Sequence, residues 1–300
     1  MGRALREGIS PYGEHRYYPL PTALWIFVPL ALLPDWFRLV WVIVPLLFVM
    51  MIARREAIWW FLFPPLWFVM SDGMLEGWLL LPLHWLIQNK KGFAGFGAAL
   101  LLLKPQLAFP VIVYMIGKWL WARDRRNLGV FAAVSVLLWT PAFLVRPQWV
   151  GEMLAALPER VAQNSEMLPL MTSSVWSWLW LGGLAQLVFL LLAVSSVALF
   201  GWGLRRRAAV TSLLQAMTLL WTPIFFASAL ATLIPFVRGR QKIAIVCSAL
   251  VAWVLTLLFP VPNFGGFYVL PPLLMLLLFG KRLPASRVGS SISAAASNDS

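Results

Sequence analysis

The chain has 300 residues, 61% of them hydrophobic and 12% charged, with a mean hydropathy of +0.81. So few polar residues cannot cover a water-facing surface, which excludes an ordinary soluble domain and predicts an all-α, polytopic membrane protein. The net charge of +13 does not point to nucleic acid, because Lys and Arg come as short clusters at the ends of apolar runs and form no continuous patch. A single cysteine, Cys247, excludes a disulfide framework and a cysteine-rich metal site, and its apolar neighbours in sequence predict a buried small hydrophobe.

In chain order, residues 1–18 form a polar head. Pro19, Pro21, Pro29 and Pro34 then interrupt the apolar run 19–33. Each interior proline removes a backbone hydrogen bond that lipid cannot replace, so this run reads as a re-entrant or interfacial helix. Further apolar runs follow at 36–53, 57–71, 74–88, 92–104, 105–122, 127–146, 181–204, 208–222, 224–237, 241–260 and 266–280, which predicts about 11 transmembrane segments. The breaks between them alternate in character. Arg54/Arg55, Lys90/Lys91, Lys118 to Arg126, Arg205 to Arg207, Arg238 to Lys242 and Lys281 to Arg287 are basic, whereas the intervening breaks carry Pro, Gly or acidic residues. The positive-inside rule puts the basic breaks and the C-terminus in the cytoplasm and the other face outside the plasma, or inner, membrane.

Residues 1–282 therefore read as one membrane domain, with residues 1–35 its external start. The long external loop 147–180 carries Val150, Met153, Leu154, Leu157 and Val161 at helical spacing, the pattern of a helix lying on the membrane surface. Residues 283–300, rich in Ser and Ala without periodicity, read as a disordered cytoplasmic tail. The orientation leaves the polar head outside with no apolar helix before it to export it, so an upstream helix is expected.

Chemistry at membrane depth must come from the few polar groups there, because a buried ion is costly. Lys104 lies within "ALLLLKPQLAFP", near the outer face by this topology. Its ammonium suits a phosphate, with Gln106 adding hydrogen bonds. The alternative is a lysine that snorkels to the external interface with no ligand, and under both readings its removal is expected to spare the fold. Asp72 and Glu76 stand one helical turn apart, so both carboxylates can face one pocket; acidic residues at a helix N-terminus are also ordinary partners of the helix dipole. His84, deeper in the same run and grouped with these outer polar residues, reads as a hydrogen-bonded packing residue. His15, Arg16, Tyr17 and Tyr18 form a further polar cluster. No histidine pair suits a metal.

"GRALREGISPYGEHRYYPLPTALWIFVPLALLP" resembles the end of the first external loop of polyprenol-phosphate-sugar-dependent glycosyltransferases of the GT-C superfamily, where an EG-x-x-PY turn precedes a re-entrant helix. "MSDGMLEGWLLLPLHWLIQNKKGFAGFGAALLLLKPQLAFP" is similar to that superfamily's turn, long helix, basic turn, AG helix and lysine-proline element. The order agrees over residues 1–126 and is nearest to glycosyltransferase family 87, whose members are mannosyltransferase-like. The resemblance implies transfer of a sugar, mannose first among candidates, from a polyprenyl-phosphate donor to a glycan or glycolipid acceptor at the external face. It implies no cofactor and leaves a divalent metal open. It also implies that Lys104 and Gln106 hold the donor phosphate, with Asp72, Glu76, Tyr17, Tyr18, His15 and Arg16 around the substrate. The family's catalytic acid lies before the EG-x-x-PY turn, which here falls upstream of Met1. The expectation is an incomplete reading frame or a degenerate, inactive relative, with Asp72 or Glu7 as weak substitutes. A transporter or lipid-handling protein is the competing class, since broken helices with charges also suit substrate passage.

Overall fold

The computed structural model describes residues 33–34, 36–71, 74–145, 147–155, 183–205, 210–222, 227–237 and 239–258. Among them every regular element is helical and no strand occurs. Helix α1 (Phe37–Ala53) ends at Arg54, whose φ of 52° turns the chain into a short 3-10 segment, Arg54–Glu56. The run 57–71, expected as one segment, is two helices, α2 (Ala57–Phe61) and α3 (Pro64–Ser71). Pro64 and Pro65 have no N–H to continue the ladder, and the Trp67 indole N–H donates to the Phe61 carbonyl at 2.6 Å. Helix α4 (Glu76–Gln88) is closed by Asn89 in the left-handed conformation, a residue type that tolerates it.

Next come α5 (Phe93–Leu101), a 3-10 turn at Pro105–Leu107, α6 (Phe109–Trp121) and α7 (Arg125–Val145). Residues 149–155 are helical, with Val150 and Leu154 exposed and Trp149 buried against Trp139 and Phe143. Helices α8 (Leu184–Arg205), α9 (Val210–Trp221) and α10 (Arg240–Leu258) complete the set. The run 224–237, expected as a spanning segment, instead holds a seven-residue 3-10 segment, Ala227–Leu233, packed against α3, α4 and α9. Non-helical backbone of this kind is tolerated in an apolar medium only where protein surrounds it, and residues 228–235 are all buried.

Helices α7 and α8 contain 20-residue stretches long and apolar enough to cross a membrane, with only 11% of each buried. That exposure separates them from the core helix of a soluble protein: Val136, Leu137, Leu187, Leu191 and Val194 all face outward. Helices α4 and α5, with 13 and 9 residues, rise only about 20 and 14 Å, short of the ~30 Å apolar layer of a bilayer. Cys247 was expected to be buried and is exposed. It shares the outward stripe of α10 with Val251 and Val254, which follow at helical spacing and are exposed too.

The tightest packing joins α4, α5 and α7 through glycine. A Cβ on Gly97 would collide with the Pro82 carbonyl of α4, and one on Gly95 with the Asn127 carbonyl of α7. Asn127, fully buried, links the starts of α5 and α7. Its Oδ1 accepts the N–H groups of Gly92 at 2.8 Å and Gly95 at 3.3 Å, and its amide donates to Asp124 Oδ2 at 2.7 Å. Asp124 accepts the Asn127 backbone N–H in return at 3.1 Å, and that bond is the main reason its carboxyl lies below the usual range. Nearby, the Trp119 indole donates to Asn89 Oδ1 at 2.7 Å, and Lys242 pairs with Glu56 at 2.7 Å. These contacts join the turns around 89–92 and 123–127 and the turns around 54–56 and 239–242, and a shared cavity lined by Arg54, Arg55 and Lys90 puts 54–56 and 89–92 at the same end.

Gly97→Val should lower the thermal unfolding midpoint of the detergent-solubilised protein, with a cost of about 1–3 kcal/mol or more, because the colliding atom belongs to backbone. Gly117→Ala, at a helical site with open space around it, should leave the midpoint unchanged or raise it slightly.

Candidate functional site

At the end opposite the basic turns, two prolines and a lysine break the chain between α5 and α6. The residue before a proline is pushed out of helical geometry, and Lys104 sits at φ −144°, ψ 69°, with Pro105 opening the 3-10 turn. Pro110 then lies in the first turn of α6, where its missing N–H costs nothing. The Lys104 ammonium meets Glu76 Oε1 at 2.6 Å. Glu76 is the first residue of α4, where the helix dipole favours a carboxylate. Its side chain is 1% exposed and that of Lys104 is 17% exposed. Lys104 is therefore neither a lone snorkelling charge nor a free cation; it is half of an almost fully buried ion pair.

Three further groups hold this turn. The Ser228 hydroxyl, from the 3-10 segment, donates to the same Glu76 oxygen at 3.3 Å. The Gln215 amide of α9 donates to the Leu107 carbonyl at 2.8 Å and to the Thr232 hydroxyl at 2.8 Å. The Thr222 hydroxyl donates to the Gln106 carbonyl at 3.2 Å. Gln106 thus contributes its backbone to the scaffold, while the residue itself is exposed. Among the described residues, two buried acceptors at this site, Glu76 Oε2 and Gln215 Oε1, have no hydrogen-bond partner. An unmatched buried acceptor is rare because the desolvation cost is not recovered, so both mark places where a donor from outside the chain would be stabilised.

The structure brings together Lys104, Gln106 and Glu76 from the residues expected in the site. His84 stands elsewhere. It is hydrogen-bonded to Gln88 at 2.7 Å, as a packing histidine would be, but it faces a cavity among Arg54, Arg55 and Lys90 at the basic end. About two turns of α4 separate it from Glu76, so the structure places it with the basic turns and not with the other polar residues it was grouped with. Asp72, Tyr17, Tyr18, His15, Arg16 and Glu7 lie outside the described residues. Ser228, Gln215 and Thr232 were missed. Gln215 carried a usable signal, a lone amide inside the apolar run 208–222; Ser228 and Thr232 carried none, because small hydroxyl residues are common in apolar segments.

Among the described residues no group of three or more His, Cys, Asp or Glu side chains is placed to hold a metal ion. Compared with known proteins, the chain matches no family model, no curated protein and no solved structure.

Removing one partner of a buried ion pair leaves an uncompensated charge, at a cost of about 3–5 kcal/mol. Lys104→Met and Glu76→Gln should therefore each destabilise the protein, and the double variant should recover most of the loss, as read in a double-mutant cycle of thermal unfolding. Additive losses would show that the two side chains do not depend on each other.

Proposed function

We propose that the protein is a polytopic membrane protein of about eleven segments, and that the Lys104–Glu76 site binds the phosphate-linked sugar of a polyprenyl-phosphate donor for glycosyl transfer at the external face. The observation that carries this reading is the ion pair with its unmatched carboxylate oxygen. A lysine fixed by Glu76 and partly open to the surface keeps N–H donors for a phosphate oxygen, and its charge acts strongly in a low-dielectric setting. Glu76 Oε2 and Gln215 Oε1 are acceptors, which suit the hydroxyls of a sugar. A site with both characters fits a sugar phosphate better than either part alone. The resemblance of residues 1–126 to glycosyltransferase family 87 supports the same reaction class and makes mannose the first donor to test. The lysine would favour departure of the phosphate by offsetting the charge that develops on it.

A second reading, passage of a substrate through the membrane, draws on the 3-10 segment Ala227–Leu233, buried over 228–233, a broken element beside polar groups of the kind that lines transport sites.

Membranes containing the protein should bind a photoreactive polyprenyl-phosphate analogue and transfer radiolabelled mannose from polyprenyl-phosphate mannose to an endogenous acceptor. The Lys104→Met/Glu76→Gln variant, which keeps the pocket neutral, should lose donor binding by ten-fold or more. Solute uptake into vesicles without donor binding would replace the transfer reading with the transport one.

Orientation is tested separately. In a Cys247→Ser background, an impermeant maleimide added to intact cells should label a cysteine at Gln148, beyond α7, and spare one at Ala122, in the basic turn. Both positions are exposed in the protein, so the reverse pattern would invert the assignment of faces.

A further inference from the structure

The basic end of the bundle carries a cavity of about 820 Å³, within the range of small-molecule and lipid sites. Arg54, Arg55 and Lys90 line it, together with the hydrogen-bonded pair His84 and Gln88. Its one acidic lining residue, Glu56, is already neutralised by Lys242 at 2.7 Å. Among the described residues no carboxylate pairs with Arg54, Arg55 or Lys90. Three cations therefore face one cavity without a counter-charge. The chain enters this turn with Arg54 at φ 52°, a conformation that an arginine adopts at a cost. The cavity's remaining wall is apolar, from Leu81, Trp85 and Ile234, and Met51 and Ile58 beside the turn are exposed.

We infer that this cavity binds the headgroup of an anionic phospholipid in the leaflet on the basic side of the membrane. The cations would contact the phosphate and glycerol oxygens, Gln88 would add a donor, and the acyl chains would run along the apolar wall. A free phosphate needs no apolar wall, and a neutral lipid needs no excess of cations; an anionic lipid uses both. Guanidinium groups are suited to phosphate because their planar forks match its oxygens in pairs. The site lies at the far end of α4 from Glu76 and is separate from the donor site. It rests on the membrane reading alone, so failure of sugar transfer leaves it standing.

The test uses the full chain in dodecyl maltoside, titrated with dioleoylphosphatidylglycerol, dioleoylphosphatidylcholine or inorganic phosphate, and followed by thermal unfolding and by lipids retained in native mass spectrometry. The phosphatidylglycerol should raise the unfolding midpoint and remain bound, and the other two should do neither. Arg54→Gln/Arg55→Gln/Lys90→Gln should weaken binding by ten-fold or more relative to Lys118→Gln/Arg123→Gln/Arg125→Gln, which removes the same charge from the same end but outside the cavity. Diffuse attraction to basic residues, worth about five-fold per charge near a membrane surface, would weaken both variants equally, and that result would overturn the proposal. Equal binding of phosphatidylcholine, or the same stabilisation by inorganic phosphate, would overturn it as well. Should the triple variant fail to fold, Lys90→Gln alone, at an exposed turn, is expected to weaken retention about five-fold more than Lys118→Gln does, and equal retention by the two variants would overturn the proposal.

Discussion

A carboxylate at the start of α4, almost wholly withdrawn from solvent, is the most demanding group in this structure, and the bond from Lys104 at 2.6 Å is what makes its position tenable. Much else follows from that one requirement. The chain must bring the lysine back to the start of α4, so α5 returns from the basic end, is short and closes in the turn that Pro105 sets. A third element must offer the carboxylate a hydroxyl, and Ser228 comes from a segment that packs there as a tight 3-10 coil. Gln215 of α9 and Thr222 just beyond its end then bind the backbone of the lysine turn, so four stretches of chain converge on one polar knot.

At the opposite end a different constraint rules. Helix starts leave N–H groups without partners, and there the Asn127 side chain serves α5 while Asp124 serves α7. Gly95 brings α5 and α7 close enough for the Asn127 bonds to form, and Gly97 does the same for the approach of α5 to α4. The result is a bundle with a small, charge-neutralised polar knot at one end and, at the other, basic turns in which Lys242 pairs with Glu56 while, among the described residues, Arg54, Arg55 and Lys90 have no carboxylate partner. Between them lies an apolar core around α4, in which Leu79, Leu80, Leu83 and Leu86 are almost wholly buried. The two ends differ in what they suit: the first offers a cation beside unmatched acceptors, the second a group of free cations beside an apolar wall.

Hydropathy and charge patterning determined a good deal by themselves. They gave an all-helical chain and, among the described residues, the approximate positions of most helices, because Pro, Gly and paired basic residues interrupt a helical ladder for reasons that are local to the chain. They also singled out Lys104 and Glu76, since an ion in an apolar run is conspicuous without any knowledge of its neighbours. Pro64 and Pro65 nonetheless divide 57–71, where one segment was expected, and 224–237 contains a 3-10 coil where a spanning helix was expected. In both places the apolar composition was uniform while the hydrogen-bond geometry was not.

Pairing was decided only in three dimensions. Lys104 and Glu76 are separated by 28 positions and Glu76 and Ser228 by 152, and no local pattern says that one will neutralise the other. The same holds for His84, which the linear order places with the outer polar groups and the run of α4 carries to the basic end. Cys247 faces outward because the rotation of α10 is set by its neighbours and not by its own apolar context. Sequence by itself determined which residues are polar, where helices break and which breaks share a charge. The tertiary structure decided which charges are matched and which are left free, because matching depends on distances of a few ångströms between segments far apart in the chain.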